Sequence, residues 1–253
     1  MGNQVYILPY LRKGLINNIT NGSTNVGKAK RAEVNVDLLL KIKDVKTGQD
    51  ESKKYSGQKI ELLGPADVRS ISPKAIMHVS PAESGDVRLN ASYRPYIEFY
   101  EEDLPWRYTP YAPENPNFFP WMRLIAVKKD ECFICFRNGV KVARLNLSKE
   151  RIDEVFSTRV ALSKSAHVQI DVDDNFNGNF DNNKVNELLN ENPDCGISRI
   201  LCTSPLEKSM EYFILLIPTY EQGRLAALGQ SLNNTDMSTL VRPQANTDID
   251  IPI

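Results

Sequence analysis

Residues 93–121 read YRPYIEFYEEDLPWRYTPYAPENPNFFPW and hold six of the chain's 15 prolines together with both of its tryptophans. Pro95, Pro105, Pro110, Pro113, Pro116 and Pro120 keep this run out of a helix and out of a central strand. Each lacks the N–H that those structures require. The rings between them, Trp106, Tyr108 and Trp121 foremost, carry too much apolar area to stay in water. Such a segment must be ordered by burial, on its own domain or on a partner. Trp106, Arg107, Tyr108 and Trp121 therefore read as interface anchors, because aromatic and arginine side chains bury large areas with few rotors to freeze. The competing reading is that the same four plug their own core.

Outward from this run the pattern is β-rich. Val34, Val36 and Leu38 alternate with Asn35 and Asp37, the period of a half-buried strand. Residues 47–57 are polar and read as a turn. Residues 59–63, 75–79 and 96–100 read as short strands. Residues 123–127, 131–137 and 140–147 suggest a meander, with Asn138-Gly139 as a type I′ hairpin turn between the last two. Residues 166–172, 197–202 and 212–217 are further strands, and the last is apolar enough to be covered on both faces. Short helices fit residues 149–156, with Ser148 as N-cap, 184–189, and 221–228 closed by Gly229.

The expected fold is a single, mainly antiparallel, β-rich α+β domain with few short helices. Residues 1–229 would form it. Residues 230–253 read as an extended or disordered C-terminal arm. Within that arm Ile249 and Ile251 alternate with polar Asp250, so the tip is also a candidate for strand addition to a neighbour's sheet edge.

Composition excludes several function classes. With 253 residues, 41% apolar and 25% charged, the chain is an ordinary globular sequence. Its net charge of −1 argues against a nucleic-acid partner, which calls for basic excess or a basic stripe. No apolar run is long enough to insert in a membrane. The first residues lack a basic region followed by an apolar one, so cytoplasmic synthesis without a signal peptide is expected. Cys132 and Cys135 enclose Phe-Ile on an apparent strand rather than in a zinc knuckle, so the four cysteines read as reduced, buried thiols.

The sharpest metal pattern is DDNFNGNFDNNK. Asp173, Asn175, Asn177, Asn179 and Asp181 fall at calcium-loop positions around Gly178, so calcium is the candidate cofactor and a calcium-stabilised binding module an alternative function. Position 12 is Lys184 instead of an acid, which removes a bidentate ligand; a plain Asn/Gly/Asp turn explains the same residues. Glu98, Glu101, Glu102 and Asp103 lie beside Trp106 in sequence and raise the alternative of a carbohydrate-active hydrolase working with two carboxylates. The blander reading pairs them with Arg94 and Arg107. His78 and His167 each sit among apolar residues on apparent strands and read as structural.

GPADVRSISP, YIEFYEEDLPWRYTP, FFPWMRLIAV and SRILCTSPLEKSMEYFILLIPTYEQGRLAALG resemble the motifs of an uncharacterised bacterial family. The likeness runs through residues 60–229. That family is associated with gene neighbourhoods of phage-tail-like contractile injection systems. The resemblance implies a non-catalytic structural or adaptor subunit, oligomeric in a particle that leaves the cell, with other protein subunits as partners. It supplies no catalytic residues.

Overall fold

The structure, a computed structural model, describes residues 4–8, 19–21, 31–43, 45–48, 50–82, 93–111, 118–156, 158–172, 182–232 and 235–253. It is β-rich, with antiparallel sheets and four short α-helices among these residues, as the sequence leads one to expect.

The largest sheet has five strands. In spatial order these are β1 (Gln4–Leu8), β10 (Ala166–Val172), β11 (Gly196–Leu201), β6 (Tyr96–Phe99) and β5 (Ile76–Ser80). Every neighbouring pair in it is antiparallel. A two-stranded layer packs beneath it, formed by β7 (Met122–Lys128) and β12 (Tyr212–Pro218). A third layer comprises β13 (Ile249–Pro252), β9 (Val140–Leu145) and β8 (Cys132–Arg137).

The middle layer explains why its strands are nearly all apolar. Successive side chains of a strand point to opposite faces. Met122, Leu124 and Ala126 therefore enter one core, shared with Ile97, Phe99, Val168, Ile170 and Ile200 of the large sheet. Ile125 and Val127 enter a second, shared with Ala143, Leu145 and Ile251. The second core is closed by α1 (Lys149–Val155), whose N-cap Ser148 accepts from the Arg151 N–H as expected. The first is flanked by α2 (Arg159–Ser163) and by α3 (Asn182–Glu191) through Leu162, Val185 and Leu189.

The expected meander is corrected in one respect. Asn138 and Gly139 both have positive φ and turn β8 into β9, but β7 pairs with β12 rather than with β8. A strand buried on both faces gains most between two sheets, and β8 instead pairs with β9 at the outside, where Phe133 and Phe136 stay exposed.

The C-terminal segment is also corrected. It is extended, yet it is no free arm. After α4 (Glu221–Ala227) and Gly229 it lays Leu240 against Tyr220 and then runs as β13 along β9. Met237, Val241 and Ile251 are buried. Asp250 alternates outward to Arg144 (Nε–Oδ1 2.9 Å). The Ile-Asp-Ile period thus completes a sheet of its own chain.

The remaining strands, β2 (Ile19–Asn21), β3 (Ala32–Lys43) and β4 (Asp50–Glu61), form a separate sheet dominated by one long hairpin. Its base is tied to the body by Arg31, whose two terminal nitrogens reach the Asp67 carboxylate at 2.6 and 2.9 Å.

Candidate functional site

The proline-aromatic segment is docked on its own domain. Trp106 is 0% exposed and Trp121 6%. The Trp121 indole N–H donates to the Leu104 carbonyl at 2.7 Å, and Tyr108 stacks edge-on against it at 5.1 Å. Thr109 Oγ1 donates to the Phe119 carbonyl at 2.8 Å. Turns lacking ladder partners find them here in side chains and each other, as prolines demand. The interface reading is therefore corrected for Trp106, Trp121 and Ile251, whose side chains leave no surface for a partner. Arg107, Tyr108 and Ile249 are half-buried, with contacts inside the chain.

The acids of this region are held by arginines. Arg107 pairs with Asp103 and Glu101, and Arg199 with Glu98 (Nε–Oε1 2.9 Å). Arg94, expected to join them, donates instead to the carbonyls of Cys202 and Thr203. Glu98 sits in a polar row across the large sheet, with His78 opposite it on β5 and Arg199 opposite it on β11. Arg199 in turn faces His167 on β10.

Burial, then the charge of Arg199, pulls the His167 pKa below its ordinary value, and Glu98 only partly offsets this. A base with a lowered folded pKa binds protons more readily when unfolded. Its penalty is absent above pH 6.5 and grows as pH falls through that value. Urea unfolding midpoints should drop between pH 7 and pH 5 (about neutral to mildly acidic), and His167→Asn should flatten that drop.

Cys132 and Ile134 pack on the second core, while Cys202 is buried and Cys195 half-buried in the first. Among the described residues, no three His, Cys, Asp or Glu side chains converge as a metal set. The calcium-loop candidates Asp173, Asn175, Asn177, Asn179 and Asp181 lie outside the described residues.

The feature that sequence reading missed is the β3–β4 ribbon. The turn reading of residues 47–57 is overturned, because residues 50–57 are strand. Asp37 and Gly57 form a bulge, with the Gly57 N–H donating to Asp37 Oδ1 at 2.9 Å and Gly57 at φ +69°. Beyond it the ribbon leaves the body. Even-numbered residues of β3 share one face. At the base that face is buried through Ala32 and Val34; further out it exposes Leu38, Leu40 (49%) and Ile42 (56%), with Tyr55 opposite Leu38. The other face carries Leu39 with Lys41, Lys43 and Lys54, the last paired with Asp37 at 3.0 Å.

The signal was present in the sequence. The alternation Val34-Val36-Leu38 continues through Leu40 and Ile42, past the point where Leu39 interrupts it. Among the described residues β4 pairs with β3 alone, so its outer edge is open. The four half-exposed stripe residues leave on the order of 300 Å² of apolar surface, at the lower end of the largest patches that soluble monomers carry, which are often functional.

Comparison with protein-family models, with curated proteins and with solved structures gives no match. The family likeness rests on the quoted motifs alone. Among the described residues no helix is long and apolar enough to cross a membrane.

Proposed function

We propose that this chain is a non-catalytic structural or adaptor subunit of a larger bacterial assembly, a contractile-injection particle being the setting to which its motifs point. One observation carries the reading: the outer half of the β3–β4 ribbon presents an apolar stripe, crossed by Lys53 over the Tyr55 ring, and an edge of β4 that no strand among the described residues pairs with. A lone two-stranded ribbon is marginal in water and gains stability from a third strand. The occupant is a neighbouring subunit that adds a strand along the β4 edge and packs an apolar surface over the face carrying Leu38, Leu40, Ile42 and Tyr55. Covering the stripe contributes several kcal/mol at about 25 cal/mol per Å². Lysines on the back face keep the same ribbon from pairing indiscriminately through both sides.

The test replaces Leu40 and Ile42 together by aspartate. Both side chains are half in solvent, so the isolated chain should melt within about 2 °C of wild type. Incorporation into the assembly should fall at least about a hundredfold, the loss of a central apolar contact. A variant that enters the particle at wild-type stoichiometry contradicts the proposal.

A further inference from the structure

Arg123 is a cation inside an apolar strand. It lies on β7 between Met122 and Leu124, is 4% exposed, and faces no carboxylate among the described residues. One terminal nitrogen donates to the Val241 carbonyl, and the guanidinium stacks on Phe156 at 4.6 Å. Its Nε is buried with no hydrogen-bond partner among the described residues. Burial, then the charge of Arg242, pushes its pKa down to about 9. A charge taken out of water without a counter-ion is costly, and proteins retain one where an anion or a structural need answers it.

A cavity of about 400 Å³ opens at this residue. Its wall includes Arg123, Arg159, Arg242, Thr158 and Thr239, with the Phe156 ring as the apolar side, and no acid is among the described lining residues. Arg242 pairs with Asp153 and donates to the Phe156 carbonyl at 3.2 Å. Arg159 lies over Phe119 at 5.7 Å and has no acid partner among the described residues. Asp236 accepts from the Ser238 N–H and hydroxyl at 2.7 and 2.6 Å. Thr158 Oγ1 accepts from the Ala161 N–H, leaving its hydrogen free to donate.

With Asp153 offsetting Arg242, the guanidiniums of Arg123 and Arg159 have no acid partner among the described residues. A phosphoryl group carries about −1.5 to −2 at neutral pH. Planar guanidinium forks match its oxygens, and the charge-assisted hydrogen bonds so formed are about twice as strong as neutral ones. The cavity is larger than one oxyanion and lies in the size range of small-molecule sites, about 300–1,000 Å³.

We infer that the Arg123–Arg159–Arg242 cavity binds the phosphoryl group of a small phosphorylated ligand, Arg123 meeting it from within and the other two arginines from the rim. The site is independent of the ribbon. Its effect on the fold is direct, because Val241, Thr239 and Leu240 belong to the C-terminal segment and Phe156 to the end of α1. Ligand would hold the two together.

The experiment is a thermal-shift titration of the whole chain with inorganic phosphate, against chloride at equal ionic strength. Wild type should show a saturable rise in Tm below about 10 mM phosphate. Arg159→Gln, at an exposed position, should melt like wild type without phosphate, and Arg242→Gln, which gives up the Asp153 pair and the Phe156 carbonyl, slightly lower. Each should need at least about tenfold more phosphate to reach half of the shift. ADP should raise Tm where adenosine does not, and a midpoint for ADP at least about tenfold below that for phosphate marks a phosphate ester as the source. No saturable shift in wild type, unchanged midpoints in both variants, or equal shifts with adenosine and ADP would each overturn the assignment.

Discussion

Truncation after Gly229 is expected to unfold the protein. The removed residues would be dispensable if they formed a loose tail, but they supply Met237, Val241 and Ile251 to the interior. Deleting one large buried aliphatic side chain costs about 2–5 kcal/mol, and three together exceed much of the roughly 5–15 kcal/mol that holds a domain. The truncation also strips β9 of its β13 ladder, and Arg123 of the Val241 carbonyl. Arg144 and Arg224 lose the side chain and carbonyl of Asp250. The single change Ile251→Asp should reproduce most of the effect, because it buries a charge with no partner at a fully enclosed position. Circular dichroism on heating reads both. A truncated chain that melts cooperatively near the wild-type temperature would show that β13 is peripheral.

Trp106→Ala comes next in size, at about 3–5 kcal/mol of stability. The indole is fully buried among the rings and aliphatics of the first core, and its removal leaves a cavity that proline-rich turns are poorly able to collapse into. Trp106→Phe should cost far less, about 1 kcal/mol, since much of the apolar volume stays. It also removes an N–H that is buried without an acceptor among the described residues. Urea denaturation separates the two substitutions. If Trp106 acted as a surface anchor, alanine would leave the unfolding midpoint where it was and change only assembly.

These expectations turn on residues whose roles were unequally legible. Asn138-Gly139 announced its hairpin because only small or amide residues settle comfortably at positive φ. Ser148 and Gly229 announced helix ends for similarly local reasons. The apolar run of β12 announced a strand covered on both faces. Its partner could not be read, because pairing depends on which face each core takes, and β7 lies far away in the chain. Residues 50–57 looked like a turn because a strand with both faces in solvent has no apolar alternation to show. The alternation of Ile249 and Ile251 was visible, but whether the strand served its own sheet or another's was not. The aromatic run had to be buried, and the sequence held no sign of which surface would bury it. Arg123 was conspicuous only once β7 proved to be central.

The most direct test of the central claim is hydrogen exchange along the ribbon, read in the isolated chain and again in the native assembly. In the isolated chain the outward amides of β4, around Lys53 to Ser56, should exchange quickly, since no strand among the described residues covers that edge. In the assembly they should slow by at least about a hundredfold while the core strands stay as they were. Equal exchange of those amides in both states would contradict the assignment of the ribbon as the place where this subunit joins its neighbours.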